Sequence, residues 1–385
     1  MRRTVPLDAP VWQAPEGVFK HLELRLRLIT PMFGGGYRTR EVDVEVPIHA
    51  AAIRGHLRYW WRATAGVKYS DVCSLYSAER ALWGGASTPN QPAVGKVTVQ
   101  VRIHQLGSSV ELRDYGYFLF PFRGQSRPKA ATGWCDVEFS LWLRWARGTL
   151  TPEQEQEVEN ALKAWIALGG VGARTRRGCG ALTVVDSEAS RWLPSQSNLE
   201  SWFRSLIPQT TVNSKPAWTV LKGAHIAVGK SANAMDAWRE LSRFWARFRK
   251  GQWSDYQHLL QQRKQDRIVL AKPFLGLPII YQNLRLEPAD SGRMASPVIL
   301  KPLALANGQY VVPLVAVLNA PAPDKIRIYE IHPCYNTRPP LSIYLQPPNS
   351  TQEPLLHQLR VNSVLEAVIA AAKQLLPAGS FTFTL

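Results

Sequence analysis

Cysteine is scarce in this chain. Its 385 residues hold four, Cys73, Cys135, Cys179 and Cys334, with no Cys-x-x-Cys pair and no histidine at zinc-ligand spacing. That excludes a disulfide framework and a zinc finger, and the thiols are expected to be reduced and buried, in a cytoplasmic protein. Long apolar runs are missing too. No stretch reaches the ~18–20 residues of a membrane span, and the opening Met-Arg-Arg-Thr-Val-Pro leads into no signal-peptide core. Carboxylates are in short supply, 29 Asp and Glu against 46 Lys and Arg. Those present form no catalytic pair: Asp43 and Glu45 alternate on an expected strand, and Glu153, Glu155, Glu157 and Glu159 crowd a helix start, where they complement the helix dipole. No metal or other cofactor is expected.

What is abundant is positive charge. A net charge of +17 and an isoelectric point near 9.9 point to nucleic acid or another anionic surface as partner. Fourteen tryptophans make stacking on bases available, although most large aromatics pack in cores. The length suits two domains, each with its own core.

The chain is organised around Leu168 to Ala181. Two Gly-x-Gly pairs, Gly170/Gly172 and Gly178/Gly180, enclose Arg174, Arg176 and Arg177. Upstream, Thr151 as N-cap, Pro152 in the first turn and Gln154 completing a capping box predict a helix that carries Val158, Leu162, Trp165 and Ile166 at helical spacing and stops at Gly169. Downstream, Ala181 to Val185 reads as a strand. The order helix, glycine loop, strand is the reverse of a dinucleotide fingerprint. Glycines permit close backbone approach and arginines supply anion-binding forks, so the loop is expected to hold a phosphate chain.

Strict alternation from Leu22 to Ile29 predicts a half-buried strand, followed by a second glycine loop, Gly34-Gly35-Gly36-Tyr37-Arg38. Ala50 to Ala65 is a helix with Ile53, Leu57, Trp60 and Trp61 as its apolar stripe. Arg54, Arg58 and Arg62 line one edge with no carboxylate at matching i±4 positions, beside Trp61. Strands follow at Lys96–His104 and Asp136–Trp145, around an insertion, 105–135, whose basic, aromatic centre runs from Phe120 to Lys129. The order is βαββαβ, the ferredoxin-like, RRM-like unit. A polar segment from Ser187 to Lys215 then leads to strands at Trp218–Leu221, Val298–Leu305 and Tyr310–Leu318, the last two joined by Asn307-Gly308. Helices at Met235–Lys250 (with a basic row Arg239, Arg243, Arg247) and from Ser363 to Leu376 precede a final strand, Phe381–Leu385. The expected fold is therefore α+β, two ferredoxin-like domains with insertions, at 1–195 and 196–385.

Three stretches carry a family resemblance: Thr30-Pro31-Met32-Phe33-Gly34-Gly35, the helix run Ile53-Arg54-Gly55-His56-Leu57-Arg58-Tyr59-Trp60-Trp61-Arg62, and the loop Gly169 to Gly180. Together they resemble the RAMP superfamily of CRISPR-associated proteins, and more narrowly the subunit-one family of the type III-B Cmr effector complex. Gly276-Leu277-Pro278 and Arg293-Met294-Ala295-Ser296-Pro297 with Lys301 match that family's second half. The resemblance implies a non-catalytic RNA-binding subunit of an antiviral, RNA-guided machine. It would sit near the 3′ end of the guide RNA, contact guide or target RNA, and neighbour other Cmr subunits. It adds Arg293 and Lys301 to the RNA-binding candidates. Pro377-Ala378-Gly379-Ser380 stands where the second half would repeat the glycine loop.

Two enzymes compete with that reading. A RAMP-type endoribonuclease would need a positioned general acid or base, for which His21, His49 and His56 are available. A phosphate-loop NTPase is suggested by Ala224 to Ser231, but its first glycine, Gly223, falls one place early and no strand ends in a magnesium-binding Asp.

Overall fold

The structure, a computed structural model, describes residues 17–38, 40–87, 93–112, 117–122, 130–210, 212, 217–250, 256–306, 308, 310–331, 340–376 and 381–385. Strand β1, Phe19–Leu28, alternates as its sequence does, with Leu24, Leu26 and Leu28 buried and Glu23, Arg25 and Arg27 facing solvent. Helix α1, Ala50–Thr64, buries the expected stripe of Ile53, Leu57, Trp60 and Trp61. A helix not anticipated from the sequence follows: α2, Val72–Trp83, whose N-cap Asp71 accepts from the Ser74 N–H at 2.9 Å.

Strands β2, Thr98–Gln105, and β3, Glu138–Ala146, precede α3, Pro152–Leu168, and β4, Leu182–Val184. The capping box forms: Thr151 Oγ1 accepts from the Gln154 N–H, and Gln154 Oε1 from the Thr151 N–H, both at 3.2 Å. In space the strands run β2-β3-β1-β4, all antiparallel. The second half repeats this plan with β5, Val220–Val228, α4, Ala234–Lys250, β6, Val298–Ala304, β7, Val311–Asn319, α5, Val364–Leu375, and β8, Phe381–Thr384. Its order is β6-β7-β5-β8, again antiparallel. In both sheets the first strand lies between the third and the last.

One hydrophobic cluster runs through both halves. Leu26, Trp61 and Trp165 belong to it together with Ile226, Ile299, Leu303 and Phe383. The segment between the halves contributes Trp192 and Phe203, both with no exposed surface. Burying an aromatic of that size stabilises by about 2–3 kcal/mol.

A third sheet escaped the sequence reading. Its strands are Arg267–Val269, Ile279–Tyr281, Leu284–Pro288, Lys325–Glu330 and Leu341–Gln346, the first pairing in parallel with the last. One face packs Ile268, Leu286, Ile326 and Ile343 with Leu259 of the helix Tyr256–Gln262. Asn307, Cys334, 123–129 and 377–380 lie outside the described residues. Cys179 is buried as expected and Cys135 half-buried, but Cys73 is exposed on the first turn of α2. Among the described residues no helix is long and apolar enough to cross a membrane.

Candidate nucleic-acid interface

After Gly169 the chain turns back on the segment that follows β1. The Ile29 N–H donates to Ala181 O at 2.8 Å, the Gly180 N–H to Pro31 O at 2.9 Å, and the Ala173 N–H to Phe33 O at 2.7 Å. Thr30 Oγ1 donates to Gly178 O at 2.6 Å and accepts from the Ala181 N–H at 2.9 Å. Two glycines are obligatory here. Gly180 has φ +61°, and a Cβ there would sit 2.0 Å from Val171 O. Gly178 has φ +74°, and its Cβ would meet Leu300 O at 2.8 Å and Trp238 Cδ1 at 2.9 Å. Close approach is real at these positions, but the approaching group is protein backbone.

The three arginines separate. Arg176 donates to Ser296 O and, at 3.0 Å, to the Tyr59 hydroxyl, its guanidinium 5.3 Å from that ring's centre. Arg177 donates to Val298 O at 2.7 Å and Ser296 Oγ at 3.1 Å, and lies 4.7 Å over the Trp245 ring. Both tie the loop to the second half. Arg174 is different. It is half-buried in a left-handed conformation (φ +58°), and its buried Nε has no hydrogen-bond partner. Burial lowers its pKa. Arg177 is pulled down to about 9, first by burial and then by Arg174, Arg249 and Arg176. Neither Arg174 nor Arg177 has an ion pair among the described residues. Arg249 lies 5.8 Å from the Trp245 ring and Lys250 5.1 Å from the Tyr117 ring, extending the cluster. A half-buried guanidinium surrounded by its own kind favours an anionic ligand.

The arginine edge of α1 is largely neutralised. Arg58 and Arg62 both bond the buried Glu79, Arg62 at 2.7 Å. The expectation of unpaired guanidiniums fails for these two because α2 brings the carboxylate from 17 and 21 residues away. Trp61 is also withdrawn: it is 1% exposed and donates Nε1–H to Glu157 at 2.9 Å. Arg54 is exposed and has no ion pair among the described residues. It lies one turn from the start of α1, which has no acidic residue in its first turn and no side-chain cap from His49. That helix end borders a cavity of about 250 Å³ lined by Gly35, His49, His56, Gly172 and Ala173. Burial lowers the His56 pKa.

The Gly34–Arg38 loop closes through the Gly36 N–H on Glu41 O at 3.1 Å, leaving Tyr37 87% exposed with Arg38 5.4 Å over its ring. Gly170 lies against the Gly180 carbonyl, where a Cβ would stand 2.6 Å away. In the second half, Leu277 and Met294 exchange backbone hydrogen bonds at 3.0 and 3.1 Å, which joins the Gly276-Leu277-Pro278 and Arg293–Pro297 motifs. Arg293 is exposed. Lys301 is not available to RNA: it is fully buried and donates to Ile166 O and, at 2.8 Å, to Gly169 O. It caps the end of α3, whose last turn has no basic residue of its own.

Arg249, Lys250 and Tyr117 were missed in the sequence. The spacing of Trp245 and Arg249, one helical turn apart, was the available signal. The resemblance to a phosphate loop dissolves: β5 continues to Val228, a Cβ on Gly229 would meet Pro313 Cγ at 2.7 Å, and α4 begins only at Ala234.

No curated protein matches the chain. Among solved structures, Cmr1 from Pyrococcus furiosus in the apo form aligns with a TM-score of 0.52 at 16% identity, over 84% of this chain and 94% of that one. A chain from the Type III-B Cmr-beta complex bound to cognate target RNA aligns with a TM-score of 0.51 at 12% identity, over 79% and 95%. These likenesses are of fold. Residues 25–183 match the model of the RAMP superfamily, and that span holds the arginine helix, the glycine loop and the end of β1.

Proposed function

We propose that the protein is a non-catalytic RNA-binding subunit of a type III-B CRISPR effector complex. In this reading two ferredoxin-like domains, 1–195 and 196–385, frame a surface for guide or target RNA near the 3′ end of the guide, and neighbouring Cmr subunits complete the assembly. The observation that carries it is Arg174: a half-buried guanidinium with an unpartnered Nε, beside Arg177 and with no ion pair among the described residues. Such a group is stabilised by a phosphate, and Arg54, Arg38 and Arg293 add exposed positive charge. Tyr37 offers a ring for one base. The fold shared with a chain of the Type III-B Cmr-beta complex bound to cognate target RNA supports the assembly.

The test is single-stranded RNA binding across a salt series, with the same samples run on a gel with and without magnesium. The reading expects intact RNA and an affinity that falls steeply with salt, with a log–log slope of about −0.7 per phosphate held. Binding that ignores salt refutes it. Cleavage that disappears in His49→Ala or His56→Ala would install the endoribonuclease reading instead, since both side chains border the cavity beside Gly172.

A further inference from the structure

The third sheet has a face that none of the preceding functions uses. Its strands alternate, so that one side supplies the core beneath Leu259 and the other looks outward. Register identifies the outward residues. Arg285 pairs with Ile280 and Tyr329, Glu287 with Arg327, Arg327 with Ser342, Lys325 with Tyr344, and Tyr344 with Arg267. Arg267, Arg285, Arg327 and Tyr344 are exposed, and Lys325 and Tyr329 half-exposed.

Four cations therefore share this face with one carboxylate, Glu287, which pairs with Arg285. Arg267, Lys325 and Arg327 have no ion pair among the described residues. Each tyrosine carries a cation beside it: Arg285 lies 5.6 Å from the Tyr329 ring centre and Lys325 4.9 Å from that of Tyr344. The two rings stand on adjacent strands, four residues out of step, so their Cα atoms are roughly 14 Å apart by strand rise and spacing. Two bases can stack there without touching one another.

We propose that this outer face binds single-stranded nucleic acid, with Tyr329 and Tyr344 stacking on bases and Arg267, Lys325 and Arg327 holding the backbone phosphates. Unpaired cations interleaved with aromatic rings on an open sheet face meet both needs of such a strand. A double helix would reach the cations but offer no base to the rings. An acidic protein would satisfy the charge and leave both rings without a planar partner. The inference does not depend on the Arg174 reading, because the face lies on a different sheet.

The experiment uses the full-length chain and a 15-nucleotide oligouridylate carrying 4-thiouridine. In an Arg174→Ala background, charge reversal by Lys325→Glu with Arg327→Glu should weaken residual binding at least tenfold. Tyr344→Leu, which preserves the net charge, should weaken it about five- to tenfold, and photo-crosslinks should map to the strands holding Tyr329 and Tyr344. Melting curves accompany each variant, and Arg327→Lys serves as the charge-preserving control that keeps binding. Unchanged affinity in the folded charge-reversal variant overturns the proposal. So does an oligoglutamate of equal length that competes as well as RNA, which would make the face a dock for an acidic protein. Loss of binding from Arg174→Ala alone, with no residue left for the sheet variants to remove, also rejects this surface while leaving the loop reading intact.

Discussion

Replacing Arg174 by alanine separates binding from folding. The substitution keeps a Cβ, so the left-handed backbone at φ +58° is no more strained than before. It removes a guanidinium that bonds nothing in the protein through Nε and stands near Arg177. Folding stability is therefore expected to hold or to rise by up to about 1 kcal/mol, because like charges are relieved and no hydrogen bond is lost. RNA should respond in the opposite sense. A hydrogen bond to a charged group contributes about 1.5–3 kcal/mol, which corresponds to roughly 10- to 150-fold in affinity. The salt slope should shrink by about 0.7, one phosphate's worth for a single strand. Fluorescence anisotropy of a labelled 20-nucleotide RNA at three salt concentrations reads both quantities, and thermal melting reads the third. Wild-type affinity with an unchanged slope would refute the reasoning, as would a stability loss beyond about 1 kcal/mol, which would make Arg174 a structural residue.

Arg177→Ala should behave inversely at the level of stability. It deletes bonds to Val298 O and Ser296 Oγ and the stack on Trp245, so chemical denaturation should register a loss of about 2–4 kcal/mol. Glu79→Gln leaves Arg58 and Arg62 without their shared charge, and a loss of about 3 kcal/mol is expected with RNA affinity unreduced; weakened binding would show that this edge needs Glu79 for its RNA geometry. Burial draws the Lys301 pKa down to about 7, well below its unfolded value, so the unfolded chain binds more protons between about pH 7 and 10. Stability from urea melts should accordingly rise from pH 7 to 9, and Lys301→Met should abolish that rise while costing about 2 kcal/mol for the carbonyls left unbonded. Gly180→Ala forces a Cβ to 2.0 Å from Val171 O and should yield little soluble protein; a well-folded variant would disprove the packing described for the loop.

The βαββαβ orders were legible because β1, β3, β6 and β7 alternate cleanly or run apolar for seven or more residues, and because Thr151 and Gly169 bracket α3 without ambiguity; β5 was read only at its start. Helix α2 was overlooked: Val72 and Tyr76 put apolar side chains on its exposed face, and Glu79 interrupts the buried stripe of Leu75, Leu82 and Trp83, where two arginines claim it. The third sheet hid in strands of three to six residues, too short for periodicity to stand out from proline-rich surroundings. For the site, composition and spacing located the loop but could not rank its arginines. Arg174, Arg176 and Arg177 look alike in sequence, and what divides them is Ser296 and Val298, some 120 residues away. Lys301 shows the same limit in reverse. A lysine in an apolar strand resembles a ligand contact until the end of α3 is seen to rest against it.

The tie between Arg176, Arg177 and residues 296–298 has a mechanical meaning. A strand held at Arg174 and put under tension would pull on a loop whose next turn is bolted to the edge of the second sheet, with Lys301 fastening the helix end behind it. Force applied at the loop would thus be shared by both sheets instead of peeling a single turn away. Weakening residues 296–301 should let the loop yield at a lower load even with every arginine in place.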